Sequence, residues 1–342
     1  MKKNAEREKD GRRRYACGQI STTNRRVINP FVDWSFKYLF GTEESKPNLM
    51  GFLNLLLMPD VPIVKINYLN NEVKPVSQDL KGCAFDIICE DEHGDKYLIE
   101  MQNAPVDNIK ERILFYTCRI IDRMARRGAE WDYKDIKRVY SICLMNFTCE
   151  EQPKLRRDVQ LCDVDDMTTF SDKLNIIFLQ LPCLKAENIN ECCLYYEYLL
   201  YLLQEMKRDM KTIEELKAEV ASTQLPQATK ELFYKVLETA DIASLSERDR
   251  LRYESDLKNY MDTMGCIRYA EKRGKEEGRE EGMELGRKEG FEYGMEVGLE
   301  DGMELGRKQQ QLDIARSMKE GGMPAEMIAK YTGLSGQDIE NL

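Results

Sequence analysis

Ala84-Phe85-Asp86-Ile87-Ile88 and Tyr97-Leu98-Ile99-Glu100-Met101-Gln102 decide the fold of this chain. Each is a short apolar run that carries an acid where an apolar residue is expected. The polar stretch between them, Asp91-Glu92-His93-Gly94-Asp95, reads as a turn joining two strands. A hairpin closed over that five-residue turn sets Glu90 against Lys96, and the same register sets Asp86 against Glu100. Directly opposed strand residues have Cβ atoms roughly 5 Å apart, where like charges are destabilising. Strand side chains alternate between faces, so Gln102 shares the face of Glu100. Two carboxylates and an amide converging on one face predict a divalent-metal site; an ordinary solvent-facing strand surface would give the same alternation.

A hard cation such as Mg²⁺, for which Mn²⁺ substitutes, takes oxygen ligands from one or two carboxylates and keeps several waters. Asp86 and Glu100 are the candidate ligands, with the Met101 backbone carbonyl between them. Such an ion polarises a phosphoryl oxygen and lowers the pKa of a bound water, which suits a phosphodiester substrate. Gln102 would orient that water or touch the phosphate. A glutamine supplies no positive charge and no base, so positioning is all it offers.

The 342 residues accommodate two domains, or one domain and an extended appendage. The 42% hydrophobic share supports a core, and no apolar stretch approaches the ~20 residues of a membrane span. The first residues are charged and lack the apolar segment of a secretory signal, so a cytoplasmic protein is expected. The eleven cysteines sit mostly in apolar runs, as at Cys83, Cys89, Cys143, Cys183 and Cys192, and they read as reduced thiols acting as small hydrophobes. With no CxxC pair and a single histidine, His93 in the turn, zinc and Ser/His or Cys/His chemistry are poorly supported. The net charge of −10 is uneven: residues 1–140 hold 24 Lys+Arg against 21 Asp+Glu, and the remainder holds 27 against 40. A nucleic-acid surface therefore belongs to the first part.

Residues 1–28 hold nine basic residues against three acids and read as a disordered basic leader, either solvated or gripping phosphate. Apolar residues at 36, 39 and 40 predict a helix over Asp33–Phe40, and a second follows over Leu49–Leu57. Ile63–Leu69 alternates like a strand, and the hairpin comes next. Asn108–Arg127 reads as a helix ended by Gly128, with Lys110, Arg112, Arg119 and Arg123 off its apolar stripe. Val139–Phe147 and Leu174–Leu181 are dense apolar runs of strand length. The order predicts a mixed α/β domain over 29–185, followed by a helical extension over 186–270 packed on it. Within that extension Ser246-Glu247-Arg248-Asp249 is a capping signature.

Residues 271–311 form a tail with glycine at 274, 278, 282, 286, 290, 294, 298, 302 and 306. Each glycine lowers helix stability by about 1 kcal/mol relative to alanine. A period of 4 drifts about 40° per step around a straight helix, a sense that favours right-handed crossing. Either two such tails pair through the small residues, making a homo-oligomer, or the tail is a solvated helical spacer. Residues 312–342 hold short helical patterns and read as a small helical module, a protein-docking or helix-turn-helix-like unit.

Lys81-Gly82-Cys83-Ala84-Phe85-Asp86-Ile87, followed by Gly94-Asp95-Lys96-Tyr97-Leu98-Ile99-Glu100-Met101-Gln102, resembles the bacterial recombination-promoting nuclease family, the PD-(D/E)XK nuclease family transposases. Asp33-Trp34-Ser35-Phe36-Lys37-Tyr38-Leu39-Phe40-Gly41 is similar to that family's opening motif. The segments Arg112–Tyr116 and Gly128–Val139, the glycine tetrads and Thr332-Gly333-Leu334-Ser335 match it as well. The resemblance implies a restriction-endonuclease-like core of αβββαβ order and Mg²⁺-dependent cleavage of double-stranded DNA, linked to recombination or mobile elements. It carries Asp86 over as the family aspartate, Glu100 as the second acid and Gln102 as the residue where most relatives have lysine. Asp33 becomes an outer-shell acid, and Lys37 and Arg112 either phosphate contacts or structural residues. The alternative is a catalytically silent member of the fold that works through self-association or partner docking.

Overall fold

The computed structural model describes residues 26–73, 83–125, 131–149 and 152–342. Most of the expected basic leader lies outside these residues. Its end is corrected: Val27 and Ile28 are fully buried, and the Ile28 N–H donates to the Ala240 carbonyl at 2.9 Å. Two apolar side chains and a backbone bridge from Val27 to Asp241 anchor the chain before Pro30.

The described residues form two compact units, one ending at Gly265 and one running Cys266–Leu342. The first opens with α1 (Asp33–Phe40) and α2 (Lys46–Leu57), then β1 (Ile66–Tyr68), β2 (Glu72–Val73) and β3 (Cys83–Ala84). The hairpin follows as β4 (Ile87–Asp91) and β5 (Lys96–Gln102), then α3 (Ile109–Asp122), β6 (Val139–Met145), β7 (Arg156–Cys162) and β8 (Thr169–Gln180). Helices α4 (Tyr195–Arg208), α5 (Ile213–Ser222), α6 (Gln227–Thr239) and the start of α7 (Glu247–Glu320) complete it.

Six strands make one mixed sheet in the order β1-β4-β5-β6-β8-β7, and β2 and β3 pair separately. β5, β6 and β8 run parallel, and the outer pairs are antiparallel. The expected αβββαβ order is extended by β7, which the sequence does not reveal. RRDVQLC lies at the sheet edge with its side chains largely exposed, so no apolar alternation marks it.

The two faces of the sheet are covered differently. On one, a single cluster of buried side chains joins Phe36 and Leu39 of α1, Leu53 of α2, Ile99 of β5, Leu203 of α4, Phe233 of α6 and Tyr253 of α7. The helices after residue 186 thus share the core of the strands before it. On the other face α3 lays Ile109, Ile113 and Ile120 over β6, β8 and the hairpin. Ser246 caps α7 as its signature predicts, accepting from the Asp249 N–H at 3.1 Å.

In the second unit α7 continues through all nine tail glycines. Flanking apolar side chains such as Met283, Phe291, Met295 and Leu299 are exposed. α8 (Ala325–Thr332) and α9 (Gly336–Glu340) close on a small core of Ala315, Ile328 and Ile339. Gly333 ends α8 with φ +72°, a left-handed conformation that suits glycine.

Candidate active site

The β4–β5 ladder pairs Glu90 with Lys96, Cys89 with Tyr97, Ile88 with Leu98 and Ile87 with Ile99. This is the register the sequence predicts, but the ladder ends there, one residue short of Asp86 and Glu100. The turn is also one residue shorter than expected, because Asp91 belongs to β4. Its buried carboxylate accepts the N–H groups of His93 and Asp95 and the Tyr97 hydroxyl, which braces the far end of the hairpin.

At the near end Asp86 occupies the place of the missing strand pair. Its Oδ2 accepts the Met101 N–H at 2.8 Å, a donor left without a strand partner where β4 stops. Glu100 is only 6% exposed, so it lies on a covered face and not on a solvated one. Its Oε2 accepts from the Gln102 amide at 3.2 Å, and among the described residues its buried Oε1 has no hydrogen-bond partner.

Burial, then the neighbouring Asp86 charge, pushes the Glu100 carboxyl up to about 8, against the pull of Arg112 and the Gln102 amide. Burial also raises Asp86, while the Met101 N–H and Lys37 oppose the rise. Both directions follow from charge taken out of water beside like charge.

α1 and α3 supply the cations. Lys37 lies 2.8 Å from Asp33 one turn earlier and 3.7 Å from Asp86 Oδ1. Burial pulls its ammonium down, but the Asp33 hydrogen bond and the charges of Asp33, Asp86 and Glu100 outweigh that and hold it above the ordinary lysine value. Arg112, in the first turn of α3, acts on Glu100 and stands over the Tyr116 ring at 5.8 Å. The six residues singled out in the sequence, Asp33, Lys37, Asp86, Glu100, Gln102 and Arg112, are linked in one place.

Three residues here had no sequence signal. Asn103 donates to the Phe31 carbonyl at 2.7 Å, and among the described residues its buried Oδ1 has no hydrogen-bond partner. Lys207 of α4 donates to Asn146 Oδ1 at 2.8 Å, and the Asn146 N–H donates to the Gln102 carbonyl. Lys207 comes from a helix about a hundred residues later in the chain, and only the tertiary fold brings it to the end of β5. A cavity of about 470 Å³ lies elsewhere, lined by Asp91, Tyr97, Arg138, Tyr140 and Asn175 near the starts of the parallel strands, and holds none of the site acids.

The donor set suits a hard divalent ion. Two carboxylates meet, and one buried carboxylate oxygen has no partner among the described residues, a cost that a cation would relieve. Among the described residues no three His, Cys, Asp or Glu side chains converge as a closed metal cage. An ion held by Asp86 and Glu100 would complete its shell with waters or substrate oxygens, as Mg²⁺ commonly does.

A mixed sheet flanked by helices, with paired acids at the ends of two adjacent strands, defines a restriction-endonuclease-like α/β nuclease fold. The chain belongs to the PD-(D/E)XK nuclease family transposases, whose family model matches residues 30–270. No curated protein and no solved structure matches it. Among the described residues no helix is long and apolar enough to cross a membrane.

Proposed function

We propose that this protein is a Mg²⁺-dependent endonuclease of double-stranded DNA, with Mn²⁺ able to substitute, serving recombination or mobile-element movement in the cytoplasm. One observation carries the reading: the buried Glu100 carboxylate keeps an unpartnered oxygen beside a second acid, Asp86. Such a pair is unfavourable in an empty site and useful in one that takes up a cation.

Asp86 and Glu100 would hold the ion, with the Met101 carbonyl on the strand edge whose N–H meets Asp86. When bound, the ion polarises a phosphoryl oxygen and lowers the pKa of a water. Gln102, held against Glu100, orients the attacking water or a phosphate oxygen. Arg112 keeps the acid cluster from excess negative charge, and Asp33 fixes Lys37. Supercoiled plasmid with Mg²⁺ tests the reading: wild type nicks it, Asp86→Ala does not, and nicking unchanged in Asp86→Ala overturns the assignment.

A second reading draws on Gln102, whose neutral amide occupies a Glu100 oxygen. In it the fold is catalytically silent and acts through tail self-association or partner docking by residues 312–342. Calorimetry separates the two, because Mg²⁺ or Mn²⁺ uptake that depends on Glu100 is required only by the first.

A further inference from the structure

The strand that carries Glu100 brings no cation to the site, since Gln102 is neutral. A phosphodiester under attack gains negative charge on its non-bridging oxygens, and positive groups fixed at that point stabilise the transition state most. Lys37 meets the geometric requirement. Its ammonium is 3.7 Å from Asp86 Oδ1, within ion-pair reach but beyond a hydrogen bond, and it is held by Asp33 at 2.8 Å. Asp33, Asp86 and Glu100 all act on it electrostatically.

A purely structural role accounts poorly for this placement. The Asp33–Lys37 pair is one helical turn apart with side chains 62% and 39% exposed, and such surface pairs contribute little to stability. What distinguishes Lys37 is the approach to Asp86, whose side chain is only 18% exposed.

We infer that Lys37, reaching the site from α1, touches the scissile phosphate and supplies the positive charge that Gln102 cannot, with Asp33 as the positioning residue behind it. The inference rests on the nuclease reading above and adds a catalytic residue to it. A lysine on the opening helix and a lysine on β5 then become alternatives. Gln102→Lys would bring an ammonium to the Glu100 carboxylate that the Gln102 amide now meets at 3.2 Å.

The test uses full-length protein, comparing wild type, Lys37→Ala, Lys37→Arg, Asp86→Ala and the double variant Lys37→Ala/Gln102→Lys. Single-turnover nicking of supercoiled DNA is read beside Mn²⁺ affinity by calorimetry without DNA, and thermal melting confirms folding. Lys37→Ala is expected to slow nicking about 100-fold, the scale of losing one transition-state donor. Its Mn²⁺ affinity is expected to hold or rise, because a cation beside Asp86 has been removed. Lys37→Arg retains part of the rate, and the double variant regains at least about tenfold over Lys37→Ala.

Lys37→Ala nicking within about threefold of wild type, with Asp86→Ala inactive, overturns the inference and leaves the nuclease reading standing. So does a double variant no faster than Lys37→Ala, or Mn²⁺ affinity falling in parallel with rate. A wild type that nicks with no divalent ion overturns both.

Discussion

Asp86 is fastened to the strand that carries Glu100: its carboxylate accepts the Met101 N–H at 2.8 Å, one residue along β5 from the second acid. The two candidate ligands are therefore set relative to each other by one backbone hydrogen bond, not by two independent loops. Oδ2 is committed to that bond while Oδ1 faces Lys37. That bond ties the first acid to the strand of the second, the kind of ordering that electrostatic preorganisation draws on.

The raised Glu100 carboxyl makes the metal-free fold sensitive to alkali. Its folded value of about 8 lies above its ordinary value of 4.5. The folded state thus binds the proton more tightly than the unfolded one, and this contribution is complete below about pH 4.5 and lost as pH rises through 8. The loss is on the order of 3–5 kcal/mol for a shift of this size at a buried site. Thermal melting of metal-free protein is expected to fall between pH 5 and 9, and Glu100→Gln to flatten that profile and melt higher than wild type at pH 9. A wild-type profile as flat as the variant's would refute the burial argument.

Divalent-ion binding should show the same proton from the other side. Below pH 8 an ion must displace a proton from Glu100, so affinity is expected to rise about tenfold per pH unit from 6 toward 8 and then level off. Calorimetry with Mn²⁺ in buffers of different ionisation enthalpy reads the released proton directly. Asp86→Asn should weaken binding at every pH, whereas Glu100→Gln should abolish the slope.

The hairpin register was legible in the sequence because Glu90 and Lys96 flank a short polar turn with an apolar run on either side of it. The convergence of Asp86 and Glu100 follows from that local pattern. The depth of Glu100 does not, because its 6% exposure depends on how the sheet face around it is covered. The nearness of Lys37 to Asp86 is equally hidden, a contact between residues 49 positions apart in different elements. β7 leaves no periodic trace in the sequence because an exposed edge strand has no buried face.

The far end of the hairpin tests whether register supports the site. Tyr97 is 3% exposed and its hydroxyl donates to Asp91 Oδ2 at 2.8 Å, while Asp91 Oδ1 holds the turn N–H groups. Tyr97→Phe leaves a buried carboxylate oxygen without its donor, a penalty of about 1–3 kcal/mol. The melting temperature is expected to drop by about 2–4 °C per kcal/mol, with Mn²⁺ affinity nearly unchanged so long as the hairpin stays paired. A collapse of metal affinity without a drop in melting temperature would contradict a bracing role.

The tail glycines stand in open space along α7. A Cβ added at any of the nine, from Gly274 to Gly306, would meet nothing within 4 Å. Among the described residues no contact within the chain therefore requires glycine there, and each one weakens the helix by about 1 kcal/mol. Close approach of a second helix supplies a reason, since Met283, Phe291, Met295 and Leu299 lie exposed beside the glycine stripe. Replacing Gly286, Gly290, Gly294 and Gly298 with glutamine in the full chain separates the alternatives. Glutamine favours helix over glycine, so a solvated spacer should gain helicity by circular dichroism and keep its sedimentation coefficient. Paired tails should gain helicity yet dissociate to a slower species, because side chains now stand where backbones must meet. We expect the second outcome. An unchanged sedimentation coefficient in the glutamine variant would leave the glycine repeat as a spacer and remove self-association from the function of the tail.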